Sequence, residues 1–196
     1  MRTLEAQARR LKPPRGFAAL WLVTDAARMA DPLAAAARLP RGSGVLARGL
    51  APPMLAALAR LARGRGLVLL VGGDGRAALR HRAGLHVPER GAAGLLPYLA
   101  ARRRGASFAR LTLAAHGRAA SARARRLRPG LVFASPAFAT ASHPGAPGLG
   151  PLRWALLARR MGAPAAALGG VTAGNAAWLP RRWLRGLAAI GAFERD

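Results

Sequence analysis

Eight short apolar runs, separated by segments of helix length, are the feature of this sequence that most restricts its fold. The runs are rich in Val, Leu and Phe, and they cover 18–24, 44–48, 67–71, 84–87, 108–114, 131–134, 165–168 and 186–190. Short apolar strands that alternate with helical segments indicate βα units and a parallel sheet. Eight such units predict a closed (β/α)8 barrel. A doubly wound open sheet is the alternative, but it would leave two strands over.

The eighth run ends close to the last residue, so the eighth helix is expected to be missing or short. The outside of strands eight and one then needs another cover. Leu4, Ala8 and Leu11 share one face of a helix predicted over 3–11, which makes residues 1–16 a helical extension that could cover these strands. A second subunit in a homodimer could also do so.

The length and composition predict a single domain over 1–196 in a cytoplasmic protein. No apolar run approaches the roughly 20 residues that a membrane-spanning helix needs. The first residues show no apolar segment behind a charged one, as a secretory signal would. Cysteine is absent, which removes disulfides and thiolate chemistry. We therefore expect no membrane partner.

The net charge of +25 would normally point to nucleic acid. However, the arginines are spread along the whole chain, and Lys12 is the single lysine. The densest run, 118–128, contains no aromatic side chain on which a base could stack. We therefore expect nucleic acid to bind only non-specifically and in a salt-sensitive way.

Glycines at the end of the seventh run predict an anion site. Gly169 and Gly170 end this run, and a helix is expected to begin near 172–175. Without Cβ atoms the backbone can approach an anion and direct N–H groups at it. Ile190 and Gly191 offer a second pair of amides after the eighth run, where barrels of this kind commonly bind phosphate. An ordinary tight turn is the alternative for the Gly-Gly pair.

Four segments together resemble one known family. They read LVFASPAFATASHPGAPGLG over 131–150, PAAALGGVTAGN over 164–175, GLHV over 84–87 and LWLVTD over 20–25. They are similar to segments of the thiamine phosphate synthase and thiazole tautomerase family. The first resembles the family's Gly-Pro, Thr-x-Thr-Lys and Pro-Gly-Ala-Pro-x-Leu-Gly. The other three resemble, in the same order, AIGGI-T-x-x-N, DGVHL and LYLVTD. In this order the matches cover nearly the whole chain.

The resemblance implies a TIM barrel that acts in thiamine biosynthesis on a small phosphorylated thiazole. In the family the strand-seven glycines hold the thiazole phosphate together with hydroxyls of the strand-six loop. Thr140 and Ser142 match the positions of those hydroxyls. A solvated loop cap is the alternative role for Ser142.

The synthase half of the family's site is altered in this chain. The synthase joins a pyrimidine methyl pyrophosphate to the thiazole phosphate and needs cations and Mg²⁺ around the departing pyrophosphate. Arg48 is what remains of the family's Gln-Leu-Arg-x-Lys motif, and His143 replaces the lysine of Thr-x-Thr-Lys on the pyrophosphate side. Gly73-Asp74 stands in place of the family's Asn-Asp metal motif, and Gly91 replaces the family's second metal-binding Asp. Asp74 alone would be a weak metal ligand.

His116, at the end of the fifth run, is the candidate catalytic residue. The resemblance to the tautomerase branch implies that it carries the proton that aromatises a thiazole carboxylate phosphate. Imidazole, with a pKa near 6.5, suits that task without a metal. The alternative is a histidine that simply satisfies a backbone carbonyl. For His86, which lies within a motif common to both branches, a structural role is expected.

Three functions stay open at this point. The first is a tautomerase-like isomerase that requires no cofactor. The second is an active, Mg²⁺-dependent thiamine phosphate synthase, a transferase with a rebuilt pyrophosphate pocket. The third is a non-catalytic paralogue that binds a phosphate ligand.

Overall fold

Eight parallel strands form a closed barrel in the computed structural model, which describes residues 3–25, 28–140, 145 and 147–190. Each strand pairs with the next in chain order, and the last pairs with the first. The strands are β1 (Leu20–Val23), β2 (Gly44–Ala47), β3 (Val68–Gly72), β4 (Gly84–Val87), β5 (Leu111–Ala115), β6 (Leu131–Ala134), β7 (Ala165–Leu168) and β8 (Leu184–Ala189). The predicted barrel is thereby confirmed, and the open sheet is excluded.

Helices separate the strands. They are α1 (Leu4–Ala8), α2 (Pro32–Ala37), α3 (Pro52–Arg65), α4 (Gly75–Arg80), α5 (Leu95–Arg103), α6 (Ala119–Leu127) and α7 (Gly150–Met161). The helix expected to begin near 172–175 is a short 3₁₀ helix, Ala176–Trp178. Pro180 explains its short length, since the residue before a proline avoids the helical region, and Leu179 is extended.

A pair of aromatic side chains fills the inside of the barrel. Trp21 and Phe133 are buried and meet edge to face, with ring centroids 5.4 Å apart. The Trp21 Nε1–H donates to the Ala18 carbonyl at 2.7 Å. Gly44 of the neighbouring strand leaves the room that the indole occupies, because a Cβ there would lie 2.1 Å from the ring. The barrel is therefore a packed core rather than a channel.

α1 covers the outside of β1 and β8, which is one of the two covers that the sequence predicts, the other being a second subunit. Leu4 and Ala8 are buried, and α1 packs against both strands and the 3₁₀ helix. Residues 191–196, on which the expected absence of an eighth helix rests, lie outside the described residues. None of the helices in the described part of the chain is long and apolar enough to cross a membrane.

The two ends of the barrel differ in the charges that they carry. We call the end where strands finish and helices begin the carboxyl end, and the opposite end the amino end. Asp31 and Asp74 cap helices at the carboxyl end by accepting backbone N–H groups. The last turns of α3 to α7 lie at the amino end and carry Arg63, Arg65, Arg80, Arg102, Arg103, Arg125, Arg126, Arg159 and Arg160.

The packing of Trp21 predicts that Gly44→Ala destabilises the protein. An added methyl within 2.1 Å of a buried indole forces the barrel strands to shift, and we expect a loss of about 3 kcal/mol in the free energy of unfolding. Gly64→Ala is the matched control, since Gly64 lies in α3 with open space around it. This control should gain about 0.5–1 kcal/mol. Urea titrations measure both, and equal stability of the Gly44 variant and wild type would contradict the packing.

Candidate functional site

The turn after β7 requires glycine at two successive positions. Gly169 and Gly170 have φ of 88° and 64°, in the left-handed region that favours glycine. A Cβ on Gly170 would lie 2.2 Å from the Ala139 carbonyl oxygen, so the loop after β6 rests directly on this turn. The same loop is bonded to the turn by the Phe138 N–H, which donates to the Gly169 carbonyl at 3.0 Å.

Asn175 holds this turn in shape. Its Nδ2–H donates to the Gly170 carbonyl at 2.8 Å, and its Oδ1 accepts from the Thr172 N–H at 2.8 Å. The N–H groups of Gly170 and Val171 have no acceptor within the described part of the chain. The turn therefore combines a fixed backbone with free amides, which suits an anion. Asn175 was noted only as part of a motif, and its role in shaping the turn was missed.

The other predicted phosphate-binding residues are placed only in part. Thr140 follows Ala139 in the loop that rests on Gly170, and it is half-buried. Ile190 follows β8, the strand paired with β7. Ser142, Gly191 and the pyrophosphate-side His143 lie outside the described residues. Thr140 thus follows the residue that contacts Gly170, and its role in phosphate binding stays a prediction, as do these three positions.

His116 is held by Ser135, the residue that follows β6. The His116 Nδ1 lies 3.1 Å from the Ser135 hydroxyl and 3.2 Å from the Ser135 carbonyl oxygen. Ser135 is buried, whereas His116 is exposed. The carbonyl contact is the one expected of a histidine that satisfies a backbone carbonyl, so that alternative stays open, and the Ser135 hydroxyl shares the same ring nitrogen. Ser135 was missed in the sequence, although it stands where the family motif has glycine.

His86 lies inside the barrel beneath this pair. Its Nδ1 is 3.0 Å from the Thr112 hydroxyl, which itself lies 3.4 Å from the Leu85 carbonyl. Because that hydroxyl donates to the carbonyl, the His86 Nδ1–H donates to the hydroxyl. Burial, with smaller contributions from the charges of Arg48 and His116, lowers the pKa of His86 to about 3. His86 is therefore a neutral imidazole, which fits the structural role expected of it.

Arg48 lies at the carboxyl end, directly after β2. Its backbone N–H donates to the buried Thr24 hydroxyl at 2.8 Å, and that hydroxyl donates to the Arg48 carbonyl at 3.0 Å. Its guanidinium lies 3.5 Å from the Asp25 carboxylate, which also pairs with Arg28. The Asp25 carboxylate thus partly neutralises Arg48, the cation that remains from the synthase motif.

Asp74 acts as the N-cap of α4. Its Oδ1 accepts the N–H groups of Arg76 and Ala77 at 2.9 and 3.0 Å. The family position beside it is Gly73, which has no side chain to offer. Across the described residues, no three His, Asp or Glu side chains gather where they could hold a metal ion. Mg²⁺ usually relies on one or two carboxylates together with substrate phosphates, and these residues do not fit such a site.

The chain is a (β/α)8 barrel whose candidate site residues gather at the carboxyl ends of the strands, which is where barrels of this fold carry their active sites. The glycine turn, His116 and the loop after β6 all lie at this carboxyl end. The sequence matches the family model described as thiamine monophosphate synthase over residues 51–193, and the chain belongs to this family.

Solved structures share the fold at low sequence identity. Thiamine phosphate pyrophosphorylase from Pyrococcus furiosus is 16% identical, with a TM-score of 0.67, over 94% of this chain and 87% of that one. FabK from Thermotoga maritima is 15% identical, with a TM-score of 0.63, over 98% of this chain and 62% of that one. Citrate synthase SbnG is 14% identical, with a TM-score of 0.59, over 97% and 91%. A comparison with curated proteins gives no match.

The glycine turn predicts a steric effect of Gly170→Ala on anion binding. The added Cβ displaces the loop after β6, so we expect inorganic phosphate to bind at least about tenfold more weakly, a loss of about 1.4 kcal/mol. Gly162→Ala is the matched control, because Gly162 has a similar φ of 61° with no atom near its Cβ. It should leave phosphate affinity unchanged in calorimetry. An equal effect of both substitutions would contradict the site.

The neutral His86 predicts a pH dependence of stability. The folded-state pKa of about 3 lies below the ordinary value of 6.5, so the unfolded chain binds a proton that the native protein does not. Stability is unaffected above pH 6.5 and falls by about 1.4 kcal/mol per pH unit as the pH drops from there toward 3. The variant His86→Asn should lose this slope, as urea titrations between those pH values would measure. An unchanged slope would mean that His86 titrates normally.

Proposed function

We propose that the chain binds a phosphorylated thiazole and moves a proton on its ring, as a tautomerase-type isomerase of thiamine biosynthesis that needs no metal. The observation that carries the proposal is the loop after β6. At its start Ser135 holds His116, and a few residues later Ala139 rests on Gly170. One short segment therefore ties the proton carrier to the anion turn.

The phosphate end of the substrate would lie at the glycine turn. The free N–H groups of Gly170 and Val171 would donate to phosphate oxygens, and Thr140 would add its hydroxyl. Ser142, Ile190 and Gly191 are expected to complete this side. A fixed phosphate converts the proton transfer into a reaction within one complex, which lowers its entropic cost.

His116 would carry the proton. With Nδ1 engaged by Ser135, Nε2 is the ring nitrogen left to meet the substrate. It would remove a proton from a ring carbon while the freed electron pair enters the aromatic system, and the proton would be returned at the far end of the conjugated system. An imidazole can accept and release a proton near neutral pH, so no metal is required.

Arg48 and Asp74 argue against an active synthase as the main function. Pyrophosphate departure needs several cations and a metal to stabilise the leaving charge. Arg48 shares its charge with Asp25, and Asp74 uses one oxygen to cap α4. A non-catalytic phosphate-binding paralogue would keep the glycine turn but would not depend on His116.

The proposal predicts that His116→Asn removes activity while leaving binding intact. With the non-aromatic isomer of a thiazole carboxylate phosphate as substrate, we expect kcat to fall by at least about 100-fold, because general acid–base groups contribute this much. Phosphate affinity should change little. Ultraviolet absorbance of the aromatic product follows the reaction, and chelation of divalent metals with EDTA should have no effect.

His81→Asn is the matched control, since His81 caps α4 at the amino end, away from the glycine turn. It should behave as wild type. Two results would contradict the proposal: an His116 variant as active as the control, which would remove the proton carrier, or activity that EDTA abolishes.

A further inference from the structure

The amino end of the barrel presents a surface of exposed arginines, which we call the basic face. It comprises the last turns of the helices and the loops that lead from them into the strands. Exposed pairs of arginines in the last turns of three helices form its framework: Arg63, Arg65, Arg125, Arg126, Arg159 and Arg160. Every helix of a parallel barrel runs in the same sense, so arginines far apart in the sequence meet at one end.

Carboxylates are excluded from this face in the described part of the chain. Asp31 and Asp74 cap helix N-termini, Asp25 and Glu89 follow strand ends, and Glu5 lies in the first turn of α1. Asp25, Asp31, Asp74 and Glu89 belong to no helix-to-strand loop or last turn, and Glu5 is paired with Arg9. The arginines of the basic face are therefore not neutralised by nearby acids among these residues.

The favourable interaction of cations with helix C-termini explains part of this pattern. Arg102 donates to the Leu127 and Arg128 carbonyls at 3.1 and 2.8 Å, and Arg65 donates to the Leu39 carbonyl at 3.4 Å. One arginine per helix would satisfy this requirement. Adjacent pairs on successive helices exceed it and leave guanidinium groups free for a ligand outside the chain.

Among the described residues, the large exposed apolar side chains that could enter a bilayer lie outside the basic face. Leu96 and Leu152 are in first helical turns, Leu156 is in the middle of α7, and Trp178 meets Phe138 of the loop after β6. Two aromatic rings of the basic face are half-buried beneath guanidinium groups, with Arg82 over Phe108 and Arg182 over Trp183, each at 5.3 Å. These covered rings are not open to stacking by unpaired bases.

We propose that the basic face binds double-stranded nucleic acid through its phosphate backbone, without reading the sequence, at a site separate from the glycine turn. Guanidinium groups form forked hydrogen bonds with phosphate oxygens, and they are the dominant cation of this face. Rigid helix ends present them, which reduces the entropy lost on binding. Binding of this kind releases counterions and weakens steeply with salt.

Fluorescence anisotropy with a labelled DNA duplex of about 25 base pairs and mixed sequence tests the proposal, with salt varied between about 50 and 200 mM. The test variant replaces four arginines of the basic face by glutamate: Arg125, Arg126, Arg159 and Arg160. At equal salt we expect it to bind at least about tenfold more weakly, with a shallower dependence of log affinity on log salt.

The matched control makes the same change in net charge at exposed arginines near the carboxyl end: Arg76, Arg90, Arg118 and Arg153. It should retain affinity within about threefold at equal salt, because long-range charge is screened over about 10 Å. Equal losses in both variants would overturn the proposal, since net charge alone would then explain binding. Absence of duplex binding by the wild type at the lowest salt would also overturn it.

Two further measurements keep the test decisive. Substitution of the same four arginines of the basic face by glutamine removes charge without reversing it, and circular dichroism melting confirms that each variant is folded. Vesicles of phosphatidylserine and phosphatidylcholine serve as the competing anionic surface. Tighter binding to these vesicles than to the duplex at equal salt, lost in the basic-face variants, would assign this surface to membranes and contradict the proposal.

Discussion

The packing of Trp21 against Phe133 inside the barrel is the interaction on which the rest of this structure depends. Each ring is too large for a barrel interior unless neighbouring positions are small, and Gly44 provides that space. Phe133 also meets the His86 ring edge to face at 5.3 Å, so the aromatic core forms the floor beneath the site. Residues two apart on a strand point the same way, which aligns Ser135 with Phe133 and directs it to His116 at the mouth.

The loop after β6 then joins the two halves of the candidate site. Ser135 engages His116 at its start, and Ala139 contacts the glycine turn. Movement of this loop would disturb His116 and the glycine turn together. The opposite side of the mouth differs, since Arg48 is paired with Asp25 and Asp74 caps a helix. The glycine-turn side of the mouth is thus held by the loop after β6, whereas Arg48 and Asp74 on the other side are engaged within the chain.

Local patterns in the sequence were enough to predict the strands. The runs 84–87, 131–134 and 165–168 coincide with β4, β6 and β7, because short apolar runs bounded by loop residues have few alternatives. The run that begins at 108 starts too early, since the Arg110 N–H donates to the Phe108 carbonyl in a turn at 2.7 Å. The helix after β7 has only three residues, which Pro180 explains, because the residue before a proline avoids the helical region.

Features that depend on assembly of the barrel could not be predicted in the same way. The contact between Ser135 and His116 joins the ends of two different strands, and only their register brings the side chains together. Arginines of the last helical turns, which are far apart along the chain, gather at the amino end because all helices run in one direction. Sequence spacing carries no information about either arrangement until the topology is known.

Calorimetric titration of the wild-type protein with two ligands, each with and without Mg²⁺, tests the central claim most directly. The ligands are a thiazole phosphate and inorganic pyrophosphate. The account predicts that thiazole phosphate binds with the same affinity in both conditions, while pyrophosphate binds weakly and gains nothing from Mg²⁺. Tight pyrophosphate binding that appears only with Mg²⁺ would contradict the account and would indicate a working synthase pocket.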